Sequence, residues 1–114
     1  MDAKFFETAQ LIHEQERAKK DYLEFLRVPS LSVGLYTLPA GSIDTQQPHT
    51  EDEIYYVISG SAAFRAGVEE CSVQAGSILY VKAHVEHRFH SISEDLRVLV
   101  MFAPAEYSNA SGNH

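Results

Sequence analysis

Cysteine is almost absent from this 114-residue chain, which contains only Cys71. A single cysteine cannot form an internal disulfide, and such usage is typical of proteins in a reducing compartment. No stretch approaches the ~20 consecutive apolar residues of a membrane span. The first residues, MDAKFFETAQ, lack the basic start and the apolar centre of a secretory signal. Together these absences predict a cytoplasmic protein with no membrane partner.

Basic residues are also scarce, since 9 Lys and Arg stand against 16 Asp and Glu and give a formal net charge of −7. Binding to phosphates requires clustered Lys and Arg. The basic residues at 17–20 have acidic residues on both sides, which is typical of a solvated helix face. The composition therefore predicts no nucleic-acid partner.

The length of the chain fits one domain. Phe5, Ala9 and Ile12 recur at spacings of four and three, which predicts an amphipathic helix over residues 3–18. After Pro104 the residues are small and polar, as in a frayed terminus. We predict an N-terminal helix over residues 1–20, a β-barrel over residues 21–104 and a flexible tail over residues 105–114.

The rest of the chain consists of short aliphatic and aromatic runs separated by Gly, Pro and Ser. Many short strands at this spacing predict an all-β sandwich or barrel. A tight turn is expected at Ser59-Gly60, and residues 18–26 would also tolerate a helix. The predicted strands are 22–28, 31–38, 53–58, 61–65, 68–73, 77–81, 86–92 and 96–103.

Four residues with metal-binding side chains lie at two places in the chain. Alternation along an extended segment directs Gln47 and His49 to one side, and Glu53 joins them if the intervening turn keeps the phase. Strict alternation would also turn Glu51 inwards, where its charge would be costly, so we expect an irregular stretch with Glu51 in a solvated turn. His87 begins a later strand that faces the same interior. An amide oxygen, two imidazoles and a carboxylate are ligands typical of a transition-metal site.

Residues 41–91 resemble the two conserved stretches of the cupin superfamily. The first family pattern is G-x5-H-x-H-x3,4-E-x6-G. Its positions are occupied by Gly41, Gln47, His49, Glu53 and Gly60. Only the first histidine of the pattern is missing, because Gln47 stands in its place.

The second family pattern is G-x5-P-x-G-x2-H-x3-N. Gly76 and His87 match its opening glycine and its histidine, whereas its Pro, second Gly and Asn are replaced by Lys82, His84 and Ser91. His84 and His90 lie three residues either side of His87, an odd offset that predicts the opposite face of the strand. The resemblance implies a small cupin-type β-barrel, or jelly roll, with an N-terminal helix.

The resemblance also implies one divalent transition metal, held by Gln47, His49, Glu53 and His87. Two histidines and one carboxylate with open positions are typical of non-haem Fe(II) oxygenases. The same set also serves Zn, Mn or Ni, so the identity of the metal stays open.

Three functions are compatible with such a site. The first is a metal-dependent enzyme, either an oxygenase or a Lewis-acid isomerase or cyclase, that acts on a small enolic or aromatic substrate. The others are a non-catalytic small-molecule or metal-binding module and a scaffold with a vestigial site. Tyr55 is the candidate catalytic or substrate-contacting residue, because alternation from Glu53 directs it inwards. An apolar lining is predicted from Tyr55, Val57, Phe89, Val98, Val100 and Phe102.

The apolar side of the predicted helix, at Phe5, Ala9 and Ile12, has little barrel surface to cover it. The edge strands of an open barrel also favour pairing with another chain. Both features predict a homodimer.

Overall fold

The computed structural model describes residues 2–109, which form one helix and six strands. The elements are α1 (Thr8–Ala18), β1 (Tyr22–Val28), β2 (Leu31–Leu38), β3 (Asp52–Ala66), β4 (Glu69–Gln74), β5 (Ile78–Val81) and β6 (His87–Ala103). Among these residues no helix is long and apolar enough to cross a membrane. The segment at residues 22–28 is a strand, although part of it would tolerate a helix.

The strands form one antiparallel sheet in the order β1-β2-β6-β3-β4, and β5 pairs with β3. β3 and β6 are the longest strands and pair along nearly their whole length. The two halves of β3 take different second partners, because β5 pairs with residues 53–56 and β4 with residues 61–66. This antiparallel jelly roll with one N-terminal helix confirms the predicted all-β cupin fold.

The tight turn predicted at Ser59-Gly60 is wrong, because β3 continues through it. Register shifts against β6 between Val57 and Ala63 mark an irregular, bulged stretch instead. Gly60 has a φ of 94°, and an added Cβ would lie 2.2 Å from the carbonyl oxygen of Asp95. Only glycine tolerates both the positive φ and this close approach. The bulge lets β3 and β6 bend together without breaking their pairing.

The helix begins later than predicted and buries a different side. Helix α1 starts at Thr8, and Phe5 lies before it with 92% of its surface exposed. The residues that α1 buries are Leu11 and Gln15, and the Gln15 amide donates to the Leu35 carbonyl at 3.2 Å. Short helices depend on tertiary packing. The predicted stripe fails because the helix packs on the sheet through other positions.

The interior of the barrel is built from alternating side chains of β3 and β6. Along the first part of β3, Tyr55 and Val57 are fully buried while their neighbours are exposed or half-buried. On β6, Phe89 packs against Tyr55 with ring centroids 5.0 Å apart and against Phe64 at 4.8 Å. These aromatic rings belong to the core and lie beside His87, whose ring centroid is 6.0 Å from that of Tyr55.

The predicted tail does not extend freely over its described part. Residues 105–109, which we call the C-terminal segment, pack against the barrel, and Ala105 and Glu106 are buried. The Glu106 amide donates to the Ser32 hydroxyl at 2.8 Å, and the Glu106 carbonyl accepts from Arg27 at the same distance. Small, polar residues dock here because their backbone groups find partners. Residues 110–114 of the predicted tail lie outside the described residues.

Glu51 anchors this segment, which corrects the prediction that it is a solvated turn charge. The irregular stretch is present, since residues 50 and 51 are bends, but the carboxylate is buried. Its two oxygens accept from the Tyr107 and Asn109 amides at 2.9 Å each, and the Thr50 hydroxyl also donates. Burial would raise the pKa of Glu51, but these hydrogen bonds and nearby His49 hold the pKa below its usual range. The donors offset the cost of burying the charge.

Candidate metal centre

Three of the four predicted ligands come together inside the barrel. One ligand atom each from His49, Glu53 and His87 lies within 4.8 Å of the other two. Glu53 faces inwards because it follows the same alternation of β3 as Tyr55. His87 opens β6 on the buried side, and His49 comes from the loop before β3. Residues separated by up to 38 positions thus converge through the pairing of β3 with β6 and the loop beside them.

The two imidazoles face the same carboxylate oxygen. Glu53 Oε1 lies 3.1 Å from His87 Nε2 and 3.6 Å from His49 Nδ1. The side chains of Glu53 and His87 are each only 1% exposed. Phe102, which pairs with Glu53 across the strands, packs against His49 with the ring centroids 4.6 Å apart. The side chains are therefore held by packing before any ligand enters.

The unpaired polar atoms of this cluster fit a bound cation. Three of its atoms, both carboxylate oxygens of Glu53 and the Nδ1 of His49, have no hydrogen-bond partner of good geometry among residues 2–109. The Nδ1 of His87 contacts the Val85 carbonyl at 2.8 Å, so the neutral ring places a lone pair on Nε2. Lone pairs that converge without donors are costly when buried. A divalent transition metal removes that cost, and two histidines and a carboxylate suit it.

In the protein without metal, a proton on His87 Nε2 partly removes the cost of the unpaired lone pairs in this cluster. Burial alone would lower the pKa of His87, but contacts with the Glu53 carboxylate and the Val85 carbonyl, and the charge of Asp44, raise it above its usual range. A protonated Nε2 donates towards Glu53 and towards the Tyr55 hydroxyl, which lies 3.1 Å away. The proton and a metal ion therefore compete for the same lone pair.

Tyr55 belongs to a hydrogen-bonded chain behind the histidine. Its hydroxyl donates to Gln46 Oε1 at 2.9 Å, and the Gln46 amide donates to Asp44 at 2.7 Å. Buried Asp44 also accepts from the Phe89 amide and from Tyr36, each at 2.9 Å. Burial and the nearby Glu53 charge raise the pKa of Tyr55 well above its usual range, so it stays a neutral donor.

Gln47, the fourth predicted ligand, is exposed, while its neighbour Gln46 lines the cavity. The prediction of Gln47 as a ligand rests on strand alternation from His49 and on its place at the first histidine of the cupin pattern. All of residues 39–51 are described, and none of them is assigned to a strand, so that alternation does not apply. Two adjacent glutamines offer no sequence signal for which one points inwards.

A cavity of about 170 Å³ adjoins the cluster and opens to solvent. Its lining differs from the apolar lining that alternation predicts, because Val57, Phe89 and Val98 lie deeper in the core. The lining residues are Tyr22, Tyr36, Gln46, His49, Glu53, Tyr55, Val100, Phe102, Glu106 and Tyr107. Tyrosine hydroxyls and carboxylates place a few polar groups in a lining whose exposed surface is mostly apolar.

Tyr22 reaches the cavity because β2 carries glycine beneath it. A Cβ on Gly34 would lie 2.5 Å from the Tyr22 ring. The Tyr22 hydroxyl is buried and has no hydrogen-bond partner among the described residues. Burial, and then the charges of Glu106, Glu24 and Glu53, raise its pKa, so it is a neutral donor. It is therefore available to an oxygen atom of a ligand.

Glu106 is the residue that sequence reasoning missed. Its Oε2 lies 3.2 Å from His49 Nε2, on the far side of the ring from Glu53. It sits in the segment predicted to be flexible, and no motif marks it. The histidines excluded from the site do lie elsewhere, since His84 is exposed and His90 contacts Glu70 at 3.4 Å.

Comparison with known proteins agrees with this architecture. The family model described as a cupin domain matches residues 34–102. The chain is 57% identical over 95 residues to an uncharacterized protein of Streptomyces coelicolor, and the alignment covers 82% of this chain and 90% of that protein.

Two solved structures show the same fold. TT1209 of Thermus thermophilus has a TM-score of 0.70 at 20% identity, covering 90% of this chain and 99% of that one. The DMSP lyase DddQ of Ruegeria pomeroyi has a TM-score of 0.65 at 18% identity, covering 73% of this chain. This chain spans only 47% of the lyase. At these identities the likeness shows the fold alone.

Proposed function

This chain belongs to the cupin family, and from that premise we propose that it is a metal-dependent enzyme acting on a small substrate that bears oxygen atoms. One observation carries the proposal: two imidazole nitrogens and a buried carboxylate without donors converge at the edge of a cavity. A group of this kind beside an open cavity is characteristic of a functional site. A purely structural metal site would be closed to solvent.

His49, Glu53 and His87 would hold one divalent ion, with Fe, Zn, Mn and Ni as candidates. Such an ion supplies Lewis-acid or redox chemistry when bound. Three protein ligands leave open positions for a substrate oxygen. Gln47, which is exposed, is not needed for this set, and Gln46 is engaged with Tyr55 and Asp44.

The cavity limits the size and polarity of the substrate. About 170 Å³ is close to the volume of roughly 150 Å³ that accommodates benzene in a protein core. Tyr22 offers a neutral hydroxyl without a partner, whereas the Tyr55 hydroxyl is committed to Gln46 and His87. Tyr22 is thus a better candidate for substrate contact than Tyr55, whose contacts support His87. A small enol or phenol has the required size and acceptor oxygen.

The test uses protein reconstituted separately with Fe(II), Mn(II), Ni(II) or Zn(II) and a panel of small enols and phenols. Product formation is expected with at least one metal and should disappear with a chelator, and oxygen uptake separates oxidation from Lewis-acid isomerisation or cyclisation. Tyr22→Phe is expected to raise KM about 2- to 10-fold, because one hydrogen bond to the substrate is lost. Tyr80→Phe, on the exposed outer face, serves as the matched control.

Two results would overturn parts of this proposal. If the metal-loaded protein binds panel compounds without converting any of them, the chain is a binding module. If no metal binds to the wild-type protein, the metal site itself is wrong.

We also propose a homodimer, although through a different surface from the predicted helix stripe. The outer face of β3 and β5 exposes Ile54, Tyr56, Ile78 and Tyr80, and these pair across the strands as Ile54–Tyr80 and Tyr56–Ile78. Ile78 is 70% exposed and Tyr80 is 62% exposed. An apolar patch of this kind favours association with a second copy. Sedimentation at micromolar concentration should show a dimer that Ile78→Lys dissociates, and a monomeric wild-type protein would contradict this.

A further inference from the structure

The His49 ring lies between two carboxylates that approach its two nitrogens. Glu53 Oε1 is 3.6 Å from Nδ1, and Glu106 Oε2 is 3.2 Å from Nε2. The Glu106 side chain is buried at 8% exposed, and the His49 side chain is half-buried at 12% exposed. Glu106 does not belong to the group whose ligand atoms lie within 4.8 Å of one another. It therefore contacts a ligand of the site without being part of the ligand set.

The position of the Glu106 carboxylate is fixed by its backbone. Its N–H donates to Ser32 and its carbonyl accepts from Arg27, so β1 and β2 hold the residue from both sides. The next residues are held by Glu51, whose carboxylate accepts from the amides of Tyr107 and Asn109. A buried carboxylate that depends on three anchoring residues is not an incidental surface charge.

A neutral imidazole carries one N–H and one lone pair, and the partner of one nitrogen decides the state of the other. A carboxylate beside Nε2 favours the N–H at that nitrogen and leaves the lone pair on Nδ1, which faces Glu53. His87 has the opposite arrangement, because its Nδ1 contacts the Val85 carbonyl. The two histidines therefore present different nitrogens to the same point.

We propose that Glu106 is a positioning residue that holds His49 in the Nε2–H tautomer, so that His49 binds the metal through Nδ1 while His87 binds it through Nε2. This rests on the proposed metal site. A carboxylate that orients a ligating histidine in this way typically contributes 10- to 100-fold to metal affinity. The C-terminal segment is then a functional part of the site rather than a tail.

The direct test is the tautomer of His49, observed by long-range ¹H–¹⁵N NMR of the imidazole rings in apo and Zn²⁺-loaded protein at a pH at which both rings are neutral. Protonated Nε2 is expected for His49 in both forms, and protonated Nδ1 for His87. Finding His49 bound to Zn²⁺ through Nε2 would overturn the proposal.

Zn²⁺ titration against a chromophoric chelator gives a second readout. Glu106→Ala is expected to weaken Zn²⁺ binding about 10- to 100-fold. Glu106→Gln keeps an acceptor oxygen and should restore part of that loss together with the Nε2–H tautomer. Asn109→Ala removes a contact of the same segment to the Thr50 carbonyl and should leave affinity unchanged. Equal affinity of Glu106→Ala and wild type would also overturn the proposal.

The two hypotheses fail in different ways. If the wild-type protein binds no Zn²⁺, the proposed metal site fails, while the apo spectrum still decides the role of Glu106. If the wild-type protein binds Zn²⁺ and His49 carries its proton on Nδ1, only the role of Glu106 fails.

Discussion

Replacing His87 by alanine is expected to weaken Zn²⁺ binding by at least about 100-fold and to abolish turnover. Residues that merely orient metal ligands contribute 10- to 100-fold, so a direct ligand should exceed that range. His87 is one of the three residues that offer ligand atoms in the cluster. Its side chain is 1% exposed, so water cannot easily replace it. Chelator-competition titration and metal analysis of the purified protein measure the effect.

His90→Ala is the matched control for this substitution. His90 lies on the same strand, three residues away, but it contacts Glu70 on the other face. It should bind Zn²⁺ as the wild type does. Circular dichroism of both variants separates loss of a ligand from loss of the fold. Wild-type Zn²⁺ affinity in a folded His87→Ala protein would contradict the assignment of His87 as a ligand.

The predictable part of the fold is the part that local alternation decides. Strands β1 and β2 begin and end at the predicted residues, because apolar runs and the turn at Pro29-Ser30 define them. Gly60 is a position where local alternation and turn signals do not decide the structure. A glycine between two apolar runs indicates a turn, but here β6 is long enough to pair through it, and the glycine allows a bulge. The choice depends on a partner more than thirty residues away.

The residues of the candidate metal site are likewise predictable only where a strand sets the direction of the side chain. Glu53 and His87 lie in strands, where alternation gives their direction, and His49 sits only four residues before Glu53. Gln47 lies in an irregular loop, where direction depends on the hydrogen bonds of Asp44 with Gln46. Asp44 is itself held by the Phe89 amide of β6, so local sequence could not predict this arrangement.

The C-terminal segment was misjudged because its stability comes from backbone groups. Ala105, Glu106 and Tyr107 have no periodic apolar pattern, yet their amides are held by Pro29, Ser32 and Glu51 respectively. Sequence patterns report side-chain burial and not the location of backbone acceptors. The buried Glu51 is the complementary error, since its two backbone donors, the amides of Tyr107 and Asn109, lie more than fifty positions later.

The rise in melting temperature produced by Zn²⁺ is expected to increase with pH between about pH 6 and pH 8. In the apo protein the pKa of His87 is raised above its usual range by its contacts. A raised folded-state pKa contributes stability that is complete below the unfolded pKa of about 6.5 and is lost as pH rises through the folded value. The apo protein should therefore lose stability over this range, whereas bound metal replaces the proton and its stabilisation grows.

The groups that face His87 determine the direction of its pKa shift, and one of them provides a control variant. Glu53 and Tyr55 approach it from β3, Asp44 acts from the loop before β3, and the His49 ring lies 5.7 Å away. Because Glu53 supplies the nearest negative charge, Glu53→Gln should reduce the decline of apo stability with pH and also weaken Zn²⁺ stabilisation. Apparent Zn²⁺ affinity of the wild type should rise by up to about 10-fold per pH unit while one proton is displaced, and then level off. Calorimetric melting of apo and Zn²⁺-loaded protein measures both effects. A difference in melting temperature that stays constant across this range would show that the metal does not compete with a proton on His87.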